Sequence, residues 1–179
     1  LLGAGVSYCA TCDGPLYRSL PVAVLGSSEE AAEDVLALHE LGCQVHWIPG
    51  ASPEERLPAE LLKEVEDKKI RVYWKTGVKE VFGQKAVEGI ILNIKGQELE
   101  LKVAGFFIFR ESLTSPLFAR AGLKLDHKQC LAVDRFQRTN LDGVFAAGDI
   151  TCGGMQVVTA AGEGAVAAMQ AIIYLRQKA

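Results

Sequence analysis

Short apolar runs and stretches of helical period alternate along the first half of the chain. Val22–Leu25 is an apolar run bounded by Pro21 and Gly26, the pattern of a buried strand. Ser27-Ser-Glu-Glu30 follows. Ala31, Val35, Leu38 and Leu41 then recur at helical spacing up to Gly42, where a C-terminal cap is expected. Val45–Ile48 reads as a second strand, so residues 21–48 predict the β-α-β start of a parallel sheet. Pro49–Pro58 reads as a turn-rich loop, Ala59–Asp67 as a short helix and Ile70–Trp74 as a third strand. Between Val78 and Leu101, β-rich runs separated by Gly83, Gly89 and Gly96 predict a small antiparallel meander. Val103–Phe109 closes this unit as another buried strand, and a boundary falls near residues 104–112. Beyond it the pattern predicts a short helix near Leu117–Ala121, strand-like stretches around Cys130–Val133, and a strand Val144–Ala147 ending in Gly148-Asp149. A long Ala-rich helix is expected from about Gln156 to Leu175.

Composition narrows the class. The 179 residues are 49% hydrophobic and 23% charged, which excludes a disordered or low-complexity chain. A net charge of −3 leaves no electrostatic footprint for nucleic acid. No apolar stretch approaches the roughly 18 residues needed to span a bilayer, so no membrane association is expected. The N-terminal Leu-Leu has no basic region before it and does not read as a signal peptide; with no initiator Met, a fragment is expected. Five cysteines in a chain of this size do not resemble a secreted disulfide framework, and a cytoplasmic location follows.

Cys9-Ala-Thr-Cys12 carries the most chemistry of any short segment. Two cysteines at this spacing can close a small disulfide ring and reopen it by thiol exchange, and a thiolate is favoured by a helix N-terminus or a cation. Asp13 follows directly and can return a proton to a leaving thiolate. Half a zinc site and a pair of inert buried thiols remain open on spacing alone, although neither His39 nor His46 stands in ligand spacing to the pair. Cys43 and Cys130 read as packing residues, and Cys152 as a residue beside a turn with no role of its own.

Gly26-Ser-Ser-Glu-Glu-Ala31 stands where a dinucleotide-binding turn carries G-x-G-x-x-G/A. Only Gly26 and Ala31 fit, and Ser28 replaces the second glycine. Ser27 with Glu30 reads as a capping box, which would satisfy the helix N–H groups a pyrophosphate uses. The strand Val45–Ile48 ends without an acid for a ribose hydroxyl or a basic pair for a 2′-phosphate, and Arg56 is the nearest cation. Gly26, Ser27, Ser28 and Arg56 therefore form at most a weak NADP site.

Taken together, Tyr8-Cys-Ala-Thr-Cys-Asp-Gly14, the Gly26-x-x-x-x-Ala31 turn, Gly143-Val-Phe-Ala-Ala-Gly-Asp149, Gln156 and Thr159-Ala-Ala-Gly-Glu-Gly164 resemble the low-molecular-weight thioredoxin reductases in order and spacing. The resemblance covers nearly the whole chain. It implies an α/β fold: residues 1–104 as a Rossmann-like three-layer pyridine-nucleotide domain with a small antiparallel meander, and 105–179 as the C-terminal part of a second Rossmann-like, FAD-binding domain. Cys9 and Cys12 match the family's redox pair, with Cys12 facing the flavin and Asp13 as proton donor. Gly148 and Asp149 match the turn that binds the FAD ribitol, and Gln156 and Val157 the contacts to the flavin pyrimidine.

The implied activity passes electrons from FAD through Cys9–Cys12 to a thioredoxin-like disulfide, in a homodimer. The alternative is a non-catalytic nucleotide-binding or scaffolding module. Three departures stand out. The NADPH turn and its basic segment are degraded, Arg110-Glu-Ser replaces a Gly-His-x-Pro-Asn type sequence, and the FAD pyrophosphate segment is absent. The first two resemble relatives that do not use NADPH, including ferredoxin-dependent ones. The third predicts that the chain does not hold FAD stably by itself, and that its C-terminal part leaves an apolar sheet face uncovered.

Overall fold

The structure is a computed structural model that describes residues 1–50, 57–109, 115–127 and 129–178; Arg56 and Arg110-Glu-Ser lie outside the described residues. The chain divides into two compact units, Leu1–Glu111 and Ser112–Ala179.

In the first unit the strands are β1 (Val6–Ser7), β2 (Pro21–Leu25), β3 (Gln44–Gly50), β4 (Arg71–Trp74), β5 (Gly77–Phe82), β6 (Gly89–Ile94), β7 (Gln97–Lys102) and β8 (Gly105–Ile108). The helices are α1 (Ala10–Asp13), α2 (Glu29–Glu40) and α3 (Ala59–Asp67). A parallel sheet runs in the order β1-β8-β2-β3-β4, and β5-β6-β7 forms a separate antiparallel sheet. Alternation along each central strand divides its side chains between two cores. Val22, Val24, Trp47 and Phe107 pack with Ala10, Ala32, Val35 and Leu38 of the helices. Their neighbours Ala23, Ile48 and Phe106 pack with Ile90, Leu92 and Val103 of the meander. Helices, parallel sheet and meander make the three layers expected. Strand β8 pairs with β2 and β1, so it belongs with the first unit rather than the second.

Two expectations in this unit need correction. Helix α2 is capped by Ser28, whose Oγ accepts the Ala31 N–H at 3.2 Å; Ser27 lies before the cap and Glu30 falls within the first turn. The helix starts one residue later because Ser28 holds the extended backbone a cap requires, with ψ 165°. Strand β3 also continues through Pro49 and Gly50, which the sequence placed in a loop. Proline lacks a donor, and the β3–β4 register shifts between Trp47 and Gly50, where a missing ladder bond is tolerated.

The second unit holds α4 (Ser115–Arg120), a short 3-10 turn at Asp149–Thr151 and α5 (Val157–Lys178). The strands expected at Cys130–Val133 and Val144–Ala147 are not formed; isolated bridges Leu125–Leu131 and Arg138–Phe145 stand in their place. A strand needs a neighbour to complete its ladder, and among the described residues only single residues do so. Helix α5 is tied to the preceding segment through Tyr174 Oη, which donates to Asp142 at 2.8 Å, and Arg138, which donates to Gln170 at 2.6 Å. None of its described residues is buried, and Val157, Val158, Met169, Ile172 and Leu175 are exposed. The uncovered apolar surface is therefore a helix, not a sheet face. By length and composition α5 could also cross a membrane, contrary to the sequence expectation, because occasional polar residues interrupt its apolar run without lowering its mean hydropathy much. Glu163 within it is committed to hydrogen bonds on the adjacent turn.

Charge in α2 generates a pH prediction. Partial burial first, then Glu33 and Glu30, push the Asp34 carboxyl up to about 6. An unfolded aspartate titrates near about 3.9, so the folded state is favoured below about pH 4 and loses that advantage as pH rises to about 6. Asp34→Asn is expected to stabilise the protein above that window by up to about 1 kcal/mol after solvent screening, and not below about pH 4. Urea unfolding on either side of the window checks this; equal gains at both pH values would contradict it.

Candidate functional site

The chain leaves β1 and turns at once into α1, which carries Cys9-Ala-Thr-Cys12. Ala10 is buried in the helix-side core, and Gly14 lies so close to α2 that a Cβ there would meet Leu38 at 2.8 Å. The close approach seats the cysteine turn on the helix layer. Cys9 and Cys12 are joined in a disulfide, with Cα atoms 5.3 Å apart. Of the readings left open by spacing, the geometry is that of the redox pair. Cys9 is the N-cap of α1, and its Sγ accepts the Cys12 N–H at 3.1 Å. A backbone N–H aimed at a sulfur can stabilise negative charge on it. Cys12 is the more exposed of the two.

Asp13 is held from beneath by a residue the sequence reading missed. Ser7, 4% exposed, donates from Oγ to Asp13 Oδ2 at 2.6 Å and receives the Cys9 N–H at 3.1 Å. One hydroxyl therefore fixes the carboxylate and the first cysteine together. Its position on β1, two residues before Cys9, was the only signal available. Cys43 is buried and reduced, as expected of a packing residue, with burial pushing its thiol up.

At the β2–α2 turn the structure brings Gly26, Ser27 and Ser28 to the helix N-terminus. Gly26 is needed sterically, because a Cβ would meet Phe109 O at 2.7 Å and Ala31 Cβ at 2.8 Å. Its carbonyl accepts the buried Trp47 indole N–H at 2.9 Å. Ser28 occupies the Ala31 N–H, and Glu29, Glu30 and Glu33 surround the helix start. Partial burial first, and then Glu33 and Glu30, raise the Asp34 carboxyl in the same helix. A dinucleotide phosphate meets acid where it needs donors.

In the second unit Gly148 and Asp149 form a turn close to the start of α5. Gly148 has φ +83°, a conformation that favours glycine, and its N–H donates to Glu163 Oε2 at 2.7 Å. Thr151 Oγ lies 2.7 Å from the same oxygen and 2.8 Å from Gly148 O, so its one hydroxyl proton can be donated to either. Asp149 is exposed on this clamped turn. Thr159 Oγ receives the Gln156 N–H at 3.2 Å, which shapes the entry to α5 beside Val157. A glycine in a special backbone conformation, an exposed carboxylate and a helix N-terminus suit a polyhydroxyl chain attached to an electron-rich ring. Glu163 was also missed; it stands one helical turn after Thr159, a weak signal. Cys130 and Cys152, read as unrelated, are joined in a second disulfide with Cα atoms 5.9 Å apart. The two are separated by 22 positions in sequence, so only folding brings them together.

An α/β frame of dinucleotide type, carrying a cysteine pair in disulfide form on its first turn, is the architecture of a disulfide oxidoreductase. The chain belongs to the pyridine nucleotide-disulphide oxidoreductase family, whose pattern matches residues 1–164. It is 36% identical over 186 residues to a thioredoxin reductase of Coxiella burnetii, covering 97% of this chain and 58% of that protein. Among solved structures it is similar to a thioredoxin reductase from Giardia duodenalis, with a TM-score of 0.82 and 27% identity over 97% of this chain and 58% of the other. A ferredoxin-flavin thioredoxin reductase from Clostridium acetobutylicum is 33% identical over 99% of this chain and 56% of the other, with a TM-score of 0.51. The chain thus spans less than two thirds of the length of these relatives.

Ser7→Ala leaves the Cys9 N–H without its acceptor and Asp13 without its donor. The variant is expected to lose about 1.5–3 kcal/mol in denaturant unfolding. A loss below about 0.5 kcal/mol, the level of an ordinary surface change, would contradict the geometry.

Proposed function

We propose that this chain is the disulfide-bearing part of a flavin-dependent reductase that delivers electrons to a thioredoxin-like protein disulfide. The carrying observation is the Cys9–Cys12 disulfide with Asp13 held beside it by Ser7. Residues 1–111 correspond in this reading to the NAD(P)-type domain and 112–179 to the C-terminal part of the FAD domain, which moves the boundary expected at 104/105 to the far side of β8. Gly148 and Asp149 hold the FAD ribitol, and Gln156 and Val157 the ring. FAD supplies, when bound, the two electrons that open Cys9–Cys12.

The chain's own residues carry the rest. Cys12 is the cysteine that faces the flavin. The Cys12 N–H stabilises the Cys9 thiolate, which attacks one sulfur of the substrate disulfide and forms a mixed disulfide. The displaced substrate sulfur leaves as a thiolate and takes a proton from Asp13. Cys12 then attacks Cys9 Sγ, and its thiol proton passes to the departing second substrate sulfur, which restores the internal disulfide. Two electrons and two protons pass to the substrate.

The acidic start of α2 and the Ser28 cap support ferredoxin rather than NADPH as the electron donor, in line with the name of the Clostridium acetobutylicum relative. The exposed apolar side chains of α5 support burial against a second copy in a homodimer. A cytoplasmic location suits a cysteine pair that must cycle through its dithiol form.

Two measurements test this reading. Titration with a defined dithiol is expected to open Cys9–Cys12 reversibly as a two-electron couple, and Cys12→Ser to abolish it; stoichiometric zinc or an irreversible pair would defeat the proposal. Calorimetry is expected to show NADPH binding weaker than micromolar. Each lost phosphate contact removes about 1.5–3 kcal/mol, at least tenfold in affinity.

A further inference from the structure

The second disulfide lies against the turn that carries Asp149. Cys130 is 7% exposed in a hairpin closed by the Leu125–Leu131 bridge; its N–H donates to Asp126 Oδ1 at 2.9 Å. The hairpin reaches the turn independently of the sulfurs, because the Leu131 N–H donates to Ile150 O at 2.9 Å. Cys152 follows the 3-10 turn directly, and its N–H donates to Asp149 O at 3.1 Å. Its φ of +55° is a left-handed conformation that a non-glycine residue holds only where its surroundings enforce it. The turn Gly148–Cys152 is thus gripped from two sides, by Glu163 of α5 and by Cys130 through the disulfide.

We propose that Cys130–Cys152 is a second redox centre, separate from Cys9–Cys12, which locks the Gly148–Asp149 turn when oxidised and releases it when reduced by a dithiol. In a reducing compartment a disulfide that persists is uncommon, and one that is present is more often redox-sensing than structural. Cys152 is the more exposed partner and the one open to attack. A dithiol's thiolate attacks Cys152 Sγ, the Cys130–Cys152 bond breaks, and Cys130 leaves as a thiolate that takes up a proton from water. The reductant's second sulfur then displaces Cys152, which is protonated in turn. The dithiol is oxidised to a disulfide, and the cysteine pair gains two electrons and two protons. A reduced thioredoxin-like protein, the product of the proposed reaction, is a reductant of the right class, so the switch would sense that product. The inference rests on the proposed function for the ligand at the turn, the reducing compartment and the class of the reductant.

The test uses the intact protein with Cys9 and Cys12 both replaced by serine, so that the first couple is silent. Peptide mapping after air oxidation is expected to recover the Cys130–Cys152 link. Equilibration across a series of dithiothreitol redox buffers should open and re-form it as a two-electron couple. Amide exchange of residues 146–156 is expected to accelerate at least tenfold on reduction, and to the same degree in Cys130→Ala/Cys152→Ala without reductant. Alkylation of both cysteines in air-oxidised protein, an irreversible opening, or unchanged exchange would each overturn the proposal. Failure of Cys9–Cys12 to cycle in the unmodified protein would remove the proposed function and leave this result standing.

Discussion

Everything in the first unit depends on the burial of β2 on both faces. Val22, Ala23 and Val24 are fully buried, and strict alternation sends the valines to the helix layer and the alanine to the meander. Parallel ladders with β3 and β8 satisfy the strand's backbone on both edges, so it cannot slip register without exposing one set of side chains. The C-terminal end of β2 delivers the turn to α2. Strand β8, aligned by the same ladder, places β1 and hence the cysteine turn at the neighbouring edge of the sheet.

That frame is built for a dinucleotide, yet its phosphate end has been rebuilt. Gly26 persists because Phe109 and Ala31 crowd it, a steric reason that needs no ligand. The second glycine is a serine that caps the helix, and four acids follow it within two turns. The helix dipole favours negative charge at its start, so those acids stabilise α2 while they repel an anion.

The two sites share a design despite different chemistry. In each, one buried or half-buried polar side chain accepts or donates to two partners and fixes a short turn that carries an acid: Ser7 at Asp13, Glu163 at Gly148 and Thr151 beside Asp149. A single hydrogen-bonding node with two partners restrains a short turn more tightly than either bond alone, because the second bond forms on an already ordered group.

The sequence alone determined the β-α-β start, the meander, α3, α5 and the cysteine pair at Cys9 and Cys12, since these follow from local period and a spacing of three. Tertiary structure decided the rest. The cap moved from Ser27 to Ser28, and β3 ran on through Pro49, because each depended on a backbone conformation or ladder set by a neighbouring element. Val144–Ala147 failed to become a strand because strand formation is decided by the partner and not by the run itself. Ser7 acquired its role only when β1 brought it beneath Asp13. Cys130 and Cys152 carried no mark of each other across 22 positions; the hairpin and the Asp149 turn had to meet before their sulfurs could, because a covalent bond between distant residues is a fact of proximity and not of sequence.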